Sequence, residues 1–200
     1  GADKESRKLY LLALRDGVGT KGLVLALETV DAADPDRAWF QTKQILDLIE
    51  GARDAGTFGL NDPRGGDSLA GYLDKKPHIH WQTRTAFALA NIGDLRAVPT
   101  LAKRLRMDPL KIYSDDTDYE MLLKRDDNER VVAARMIADL AFLHPDQLEQ
   151  IREQAEDAVI FWVHELPSPH ANGLRALSAM QSTKDVEALH DQFNVQKKAL

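Results

Sequence analysis

The sequence predicts an all-α protein, a right-handed α-solenoid of helical hairpins, and three observations predict it. In the stretch 80–106, HWQTRTAFALANIGDLRAVPTLAKRLR, apolar residues recur at helical spacing on both sides of one tight turn. The pattern returns after 48 and again after 88 residues. Each copy is followed by a second amphipathic stripe, so the repeating unit is a pair of helices and not a single one.

The first pair shows the pattern most plainly. Trp81, Thr85, Ala88, Leu89 and Ile92 line one face of a 3.6-residue period. Gly93-Asp94 stops this helix, because glycine accepts the left-handed conformation that a C-terminal cap requires. Val98, Leu101, Ala102 and Leu105 stripe the second helix, with Pro99 in its first turn, where a missing N–H costs little. Such a pair cannot bury two apolar stripes alone and needs neighbours.

The sequence supplies them. Gln82, Thr85, Ala88, Leu89 and Ile92 map onto Arg130, Ala133, Met136, Ile137 and Leu140 in the second copy. In the third copy they map onto His170, Gly173, Ala176, Leu177 and Met180. The second stripes are Leu148, Ile151, Ala155, Val159 and Trp162, and then Val186, Leu189 and Phe193. Pro167-Ser168-Pro169 is expected to be the turn between copies, with Ser168 as N-cap. A two-helix unit of this length lies in the range of HEAT and armadillo arrays.

The core Ala88–Leu101, A-L-x-x-I-G-D-x-R-A-V-P-x-L, closely resembles the HEAT-like repeat first associated with phycobilisome lyases. The resemblance covers roughly 80–196 and extends weakly to the N-terminal part. The second copy departs from it with Ala141-Phe142-Leu143-His144-Pro145 at the turn, and the third with Gln181-Ser182-Thr183. The resemblance implies a HEAT-like solenoid and says little of function, because one fold hosts many.

N-terminal to these copies, 4–16 reads as a helix with Leu9, Leu12 and Ala13 on one side, broken at Gly17-Val18-Gly19-Thr20. Residues 21–30 read as its partner, so 1–56 holds a degenerate first copy and one further helix. That helix starts at Asp34-Pro35, an N-cap and an N1 proline, and runs to about Ala55 with Trp39, Ile45, Leu46 and Ile49 striped. Residues 57–76 are expected to be a glycine-rich connector and a short helix over 68–74, capped by Asp67 or Ser68. The regular copies occupy 77–200, and the whole is read as one helical domain.

Between the first and second copies, 107–127 is expected to be an irregular acidic insertion. It carries Tyr113, Asp115, Asp116, Asp118, Tyr119, Glu120, Asp126 and Asp127. Insertions of this kind map to loops on one face of a repeat array, often the binding face; otherwise they are solvated connectors. Asp116, Asp118 and Glu120 alternate like the first ligands of an EF-hand, but Met121 stands where its glycine must be and Asp127 where its glutamate must be. No metal is therefore expected from the motif.

Composition excludes several classes. Apolar residues make up 44% and charged residues 29%, an ordinary globular profile. A net charge of −6 argues against the basic face that nucleic acid requires. The absence of cysteine removes disulfides, thiolate metal sites and a cysteine nucleophile. No apolar run approaches the roughly 18 residues of a membrane span. His164-Glu165 and His170 lack the H-E-x-x-H spacing of a helical zinc site, and His78 and His80 alternate after a proline. Asp62–Gly66 matches neither a P-loop nor a dinucleotide fingerprint, and no G-x-S-x-G elbow occurs. The three tryptophans, Trp39, Trp81 and Trp162, are expected to pack in the core.

What remains is charge on the second helices, which line the inner face of a HEAT-like array. Lys103, Arg104 and Arg106 follow the first copy; Glu149, Glu153, Glu156 and Asp157 follow the second. A groove changing from basic to acidic suits a polar protein segment better than a uniformly anionic polymer. The expectation is a non-enzymatic scaffold for a protein partner, cytoplasmic and without cofactor, standing alone or within a longer solenoid or larger complex. Its contacts are expected from Lys103, Arg104, Arg106, Tyr113, Asp115, Asp116, Asp118, Tyr119 and Glu120. The alternatives are a subunit of a bilin lyase-like or other enzyme complex, implied by the resemblance, and a HEAT-like nucleic-acid binder.

Overall fold

A computed structural model of the chain describes residues 12–30, 34–51, 59–75, 77–107, 119–165 and 171–184. Every regular element among them is helical, and there is no strand among them. The chain divides into two compact units, Gly1–Arg96 and Ala97–Leu200, with the boundary inside the turn of the first copy.

The first unit contains a helical end at 12–17, then α1 (Gly19–Glu28), α2 (Pro35–Ile49), α3 (Gly66–Asp74) and α4 (Ile79–Asn91). α1 packs on α2 and α3, and α4 packs on α2 and α3. Leu23, Val24 and Leu27 of α1, Leu46 and Ile49 of α2, Leu69 and Ala70 of α3, and the Ala86–Ala90 run of α4 are all buried. Asp34 caps α2 as its sequence implies, its carboxylate accepting the Arg37 N–H at 3.1 Å with Pro35 at the first position.

Two boundaries and the burial of one stretch differ from expectation. α2 stops at Ile49 and not near Ala55, because Gly51 turns left-handed at φ +102 and its N–H closes on the Asp47 carbonyl. The helix expected over 68–74 begins at Gly66, preceded by a 3-10 turn, Pro63–Gly65, that Asp62 caps. Leu12 and Ala13, expected on a packed side, are exposed, while Leu14 is half-buried. Leu9 and Ser168, and the stripe Val186, Leu189 and Phe193, lie outside the described residues.

The second unit contains α5 (Val98–Leu105), α6 (Tyr119–Leu143), α7 (Leu148–Glu165) and α8 (Ala171–Ala179). α5 packs on α6 and α7, and α8 packs on α6 and α7. The stripes inferred for the second and third copies form this core: Ala133, Met136, Ile137 and Leu140 with Ala176, Leu177 and Met180 are all buried. α6 starts at Tyr119, so the latter part of the insertion, 119–127, is helical and not irregular. Glu120, Met121, Leu122, Leu123, Lys124 and Arg125 are good helix formers, and the helix they begin runs on through the second copy.

Turn chemistry repeats between copies. α4 ends with Gly93 at φ +78, the Gly93 N–H bonding the Ala90 carbonyl and the Asp94 N–H the Leu89 carbonyl. α8 ends in the same way: Gln181 sits at φ +53, its N–H on Ser178 and the Ser182 N–H on Leu177. These are the two bonds of a Schellman cap. The third copy therefore keeps the geometry of the first without its glycine. Three 3-10 turns, Pro63–Gly65, Leu95–Ala97 and Pro145–Gln147, each run directly into the following helix.

Candidate interaction surface

On α5, Val98, Leu101, Ala102 and Leu105 are buried. Lys103 and Arg106 are exposed, as a partner-facing role requires. Arg104 is not: it is 1% exposed, and its Nε donates to the Glu129 carboxylate of α6 at 3.0 Å. α5 is covered by both α6 and α7, which widens its buried arc beyond the apolar stripe to include Arg104. Arg104 is thus removed from the expected contact set and becomes an internal tie between helices.

α7 shows the same division. Glu149, Glu153 and Asp157 are exposed, whereas Glu156 is buried. Lys184 bridges Glu156 at 2.9 Å and Asp157 at 3.1 Å. Burial pushes the Glu156 pKa up, but the Ser182 hydroxyl and the Lys184 ammonium outweigh it and hold the carboxyl below its usual range. Because α5 packs on α7, exposed Lys103 and Arg106 and exposed Glu149, Glu153 and Asp157 lie on neighbouring helices of one unit.

Tyr113, Asp115, Asp116 and Asp118 lie outside the described residues. Tyr119 and Glu120 are the first two residues of α6. Of the nine expected contacts, the structure thus places Lys103 on the surface of α5, Arg106 exposed at its C-terminal cap, and the backbones of Tyr119 and Glu120 on the adjoining helix α6.

Charged groups that sequence reasoning passed over tie the helices together. Arg84, in the apolar run TRTAFALA of α4, is 6% exposed and reaches two carboxylates of α2 and its cap: Glu50 through Nε and Asp47 through Nη2, both at 2.8 Å. Desolvation alone would lower the Arg84 pKa, but the charges of Glu50 and Asp47 overcome it and raise it. In the second unit, Arg130 pairs with Glu165 at 2.7 Å and donates to the Met107 carbonyl. A charged residue inside an apolar stripe was the available signal, since a charge is buried only where a partner compensates it.

A second arrangement recurs at the turns. Asp62 Oδ1 accepts the Arg64 backbone N–H at 3.1 Å and its Nε at 2.8 Å. Asp94 Oδ1 does the same for Arg96, at 3.0 and 2.9 Å. Each clamp also touches the start of a helix. Asp62 accepts the Thr20 N–H of α1 at 3.5 Å, and Arg96 reaches Asp67 of α3 at 2.9 Å. Gly65 is held so close to Thr20 that a Cβ there would lie 2.3 Å from the threonine Cβ. The D-P-R and D-L-R triplets were visible in the sequence, but the long glycine-rich stretch around the first concealed the match.

The aromatic residues divide. Trp162 is 1% exposed and Trp81 is buried, both in core positions as expected. Trp39 is 45% exposed, its ring 5.6 Å from that of Trp81, and Phe40 beside it is 55% exposed. Trp39 continues the Thr42–Leu46–Ile49 stripe from the first turns of α2, yet unlike Thr42, Leu46 and Ile49 it is not buried. His78 caps α4 by accepting the His80 N–H at 3.3 Å, and the His80 ring lies tilted against that of Trp81, centroids 4.6 Å apart. Among the described residues no three histidine, aspartate or glutamate side chains converge as ligands of a metal.

No protein-family model, curated protein or solved structure matches this chain. Among the described residues, no helix is long and apolar enough to cross a membrane.

Proposed function

We propose that this chain is a non-enzymatic protein-interaction scaffold built from HEAT-like helical hairpins. The observation that carries the reading is one packing step present in both units. Helices pair with their next-but-one neighbours: α1 with α3 and α2 with α4 in the first unit, α5 with α7 and α6 with α8 in the second. A stacked array of helical pairs buries its stripes in this way. The matching caps at Gly93 and Gln181 and the recurring 3-10 entries to α3, α5 and α7 support the same unit. Several buried charges, those of Arg84, Arg104 and Arg130 among them, are engaged in ties between helices.

The partner is a polar protein segment that meets Lys103 and Arg106 on α5 and Glu149, Glu153 and Asp157 on α7. Exposed charges of both signs on adjoining helices set register and choice of partner more than raw affinity. The acidic stretch through Tyr113, Asp115, Asp116, Asp118, Tyr119 and Glu120 is the other proposed contact.

The test is an affinity pull-down from lysate of the source organism, read by mass spectrometry, with K103E/R106E, E149K/E153K/D157K and a 113–120 glycine-serine replacement beside the parent protein. One dominant protein partner is expected, lost in at least one variant that keeps the parent's circular dichroism. Enrichment of no protein, with a small molecule or metal ion co-purifying, would overturn the scaffold reading in favour of an enzyme. A partner that survives all three variants would overturn the assignment of the surface.

A further inference from the structure

We draw no further inference here: the strongest candidate, the exposed Trp39–Phe40 pair in the first turns of α2, is an unpartnered apolar face and nothing in the structure shows what covers it.

Discussion

Asp62 holds Arg64 twice, by its backbone N–H and by its guanidinium, and the same carboxylate reaches the Thr20 N–H at the start of α1. One buried side chain thereby caps the 3-10 turn that leads into α3 and satisfies a donor at a neighbouring helix. Its substitution should be felt in both places. Asp62→Ala should lower the unfolding free energy by about 1–2 kcal/mol, the range for a lost cap with an added buried contact. Urea unfolding followed by circular dichroism would read this, and a change within about 0.3 kcal/mol would refute it.

The same carboxyl makes the stability depend on pH. The Arg64 hydrogen bond, opposed by burial, holds the Asp62 pKa below its ordinary value of 3.8. A depressed folded-state pKa gives stability that is fully present above the unfolded value and lost as pH falls through the folded one. Between about pH 5 and pH 2 the parent protein should therefore lose its advantage over Asp62→Asn. A gap that stays constant across that range would show that the charge of Asp62 is not its source.

Arg84, itself buried, joins α4 to α2 through the buried carboxylate of Glu50 and the half-buried one of Asp47. Arg84→Ala would leave Glu50 buried without this guanidinium, a loss of about 3–5 kcal/mol. Arg84→Lys should recover only part, because one ammonium cannot reproduce the two-nitrogen fork that meets Glu50 and Asp47. In a double-mutant cycle with Glu50→Ala, the two losses should add to more than the double variant shows. Simple additivity would mean that the pair is not coupled.

Gln181 and Gly93 occupy the same place in two caps, yet only the glycine is free of Cβ strain at positive φ. Gln181→Gly should stabilise the protein by about 0.5–1 kcal/mol, the relief of strain less the entropy glycine adds to the unfolded chain. Gly93→Ala should destabilise it by about 1–2 kcal/mol. Thermal melts of the two variants must move in opposite directions for this account to hold.

Adjacent residues of α5 separate surface from interior. Arg104→Ala should cost about 3–5 kcal/mol, since Glu129 loses a buried partner. Lys103→Glu with Arg106→Glu should stay within about 0.5 kcal/mol per site, as exposed substitutions do. A matched loss of melting temperature in the two would contradict the burial of Arg104.

Much of the fold was legible in particular residues. The stripe Val98, Leu101, Ala102 and Leu105, the cap at Asp34-Pro35 and the stop at Gly93 are local signals, and each stands where its spacing places it. The start of α3 was obscured because Asp62 caps a 3-10 turn, which has no hydrophobic period of its own. The candidate surface was less legible. Lys103, Arg104 and Arg106 are alike as residue types, and only the second helix packed on α5 tells the buried one from the other two.

The sequence by itself determined the helical class, the repeating spacing and most of the buried stripe, because apolar periodicity and cap chemistry act within a turn or two of the chain. Only the tertiary structure decided which charges are internal ties and which face water. Arg84 meets Glu50 and Asp47 across a gap of more than thirty residues, Glu156 meets Lys184 from the turn that follows α8, and Trp39 stays 45% exposed although it continues a buried stripe. The energy of a charge or a ring depends on what surrounds it, and that surrounding is assembled from distant parts of the chain.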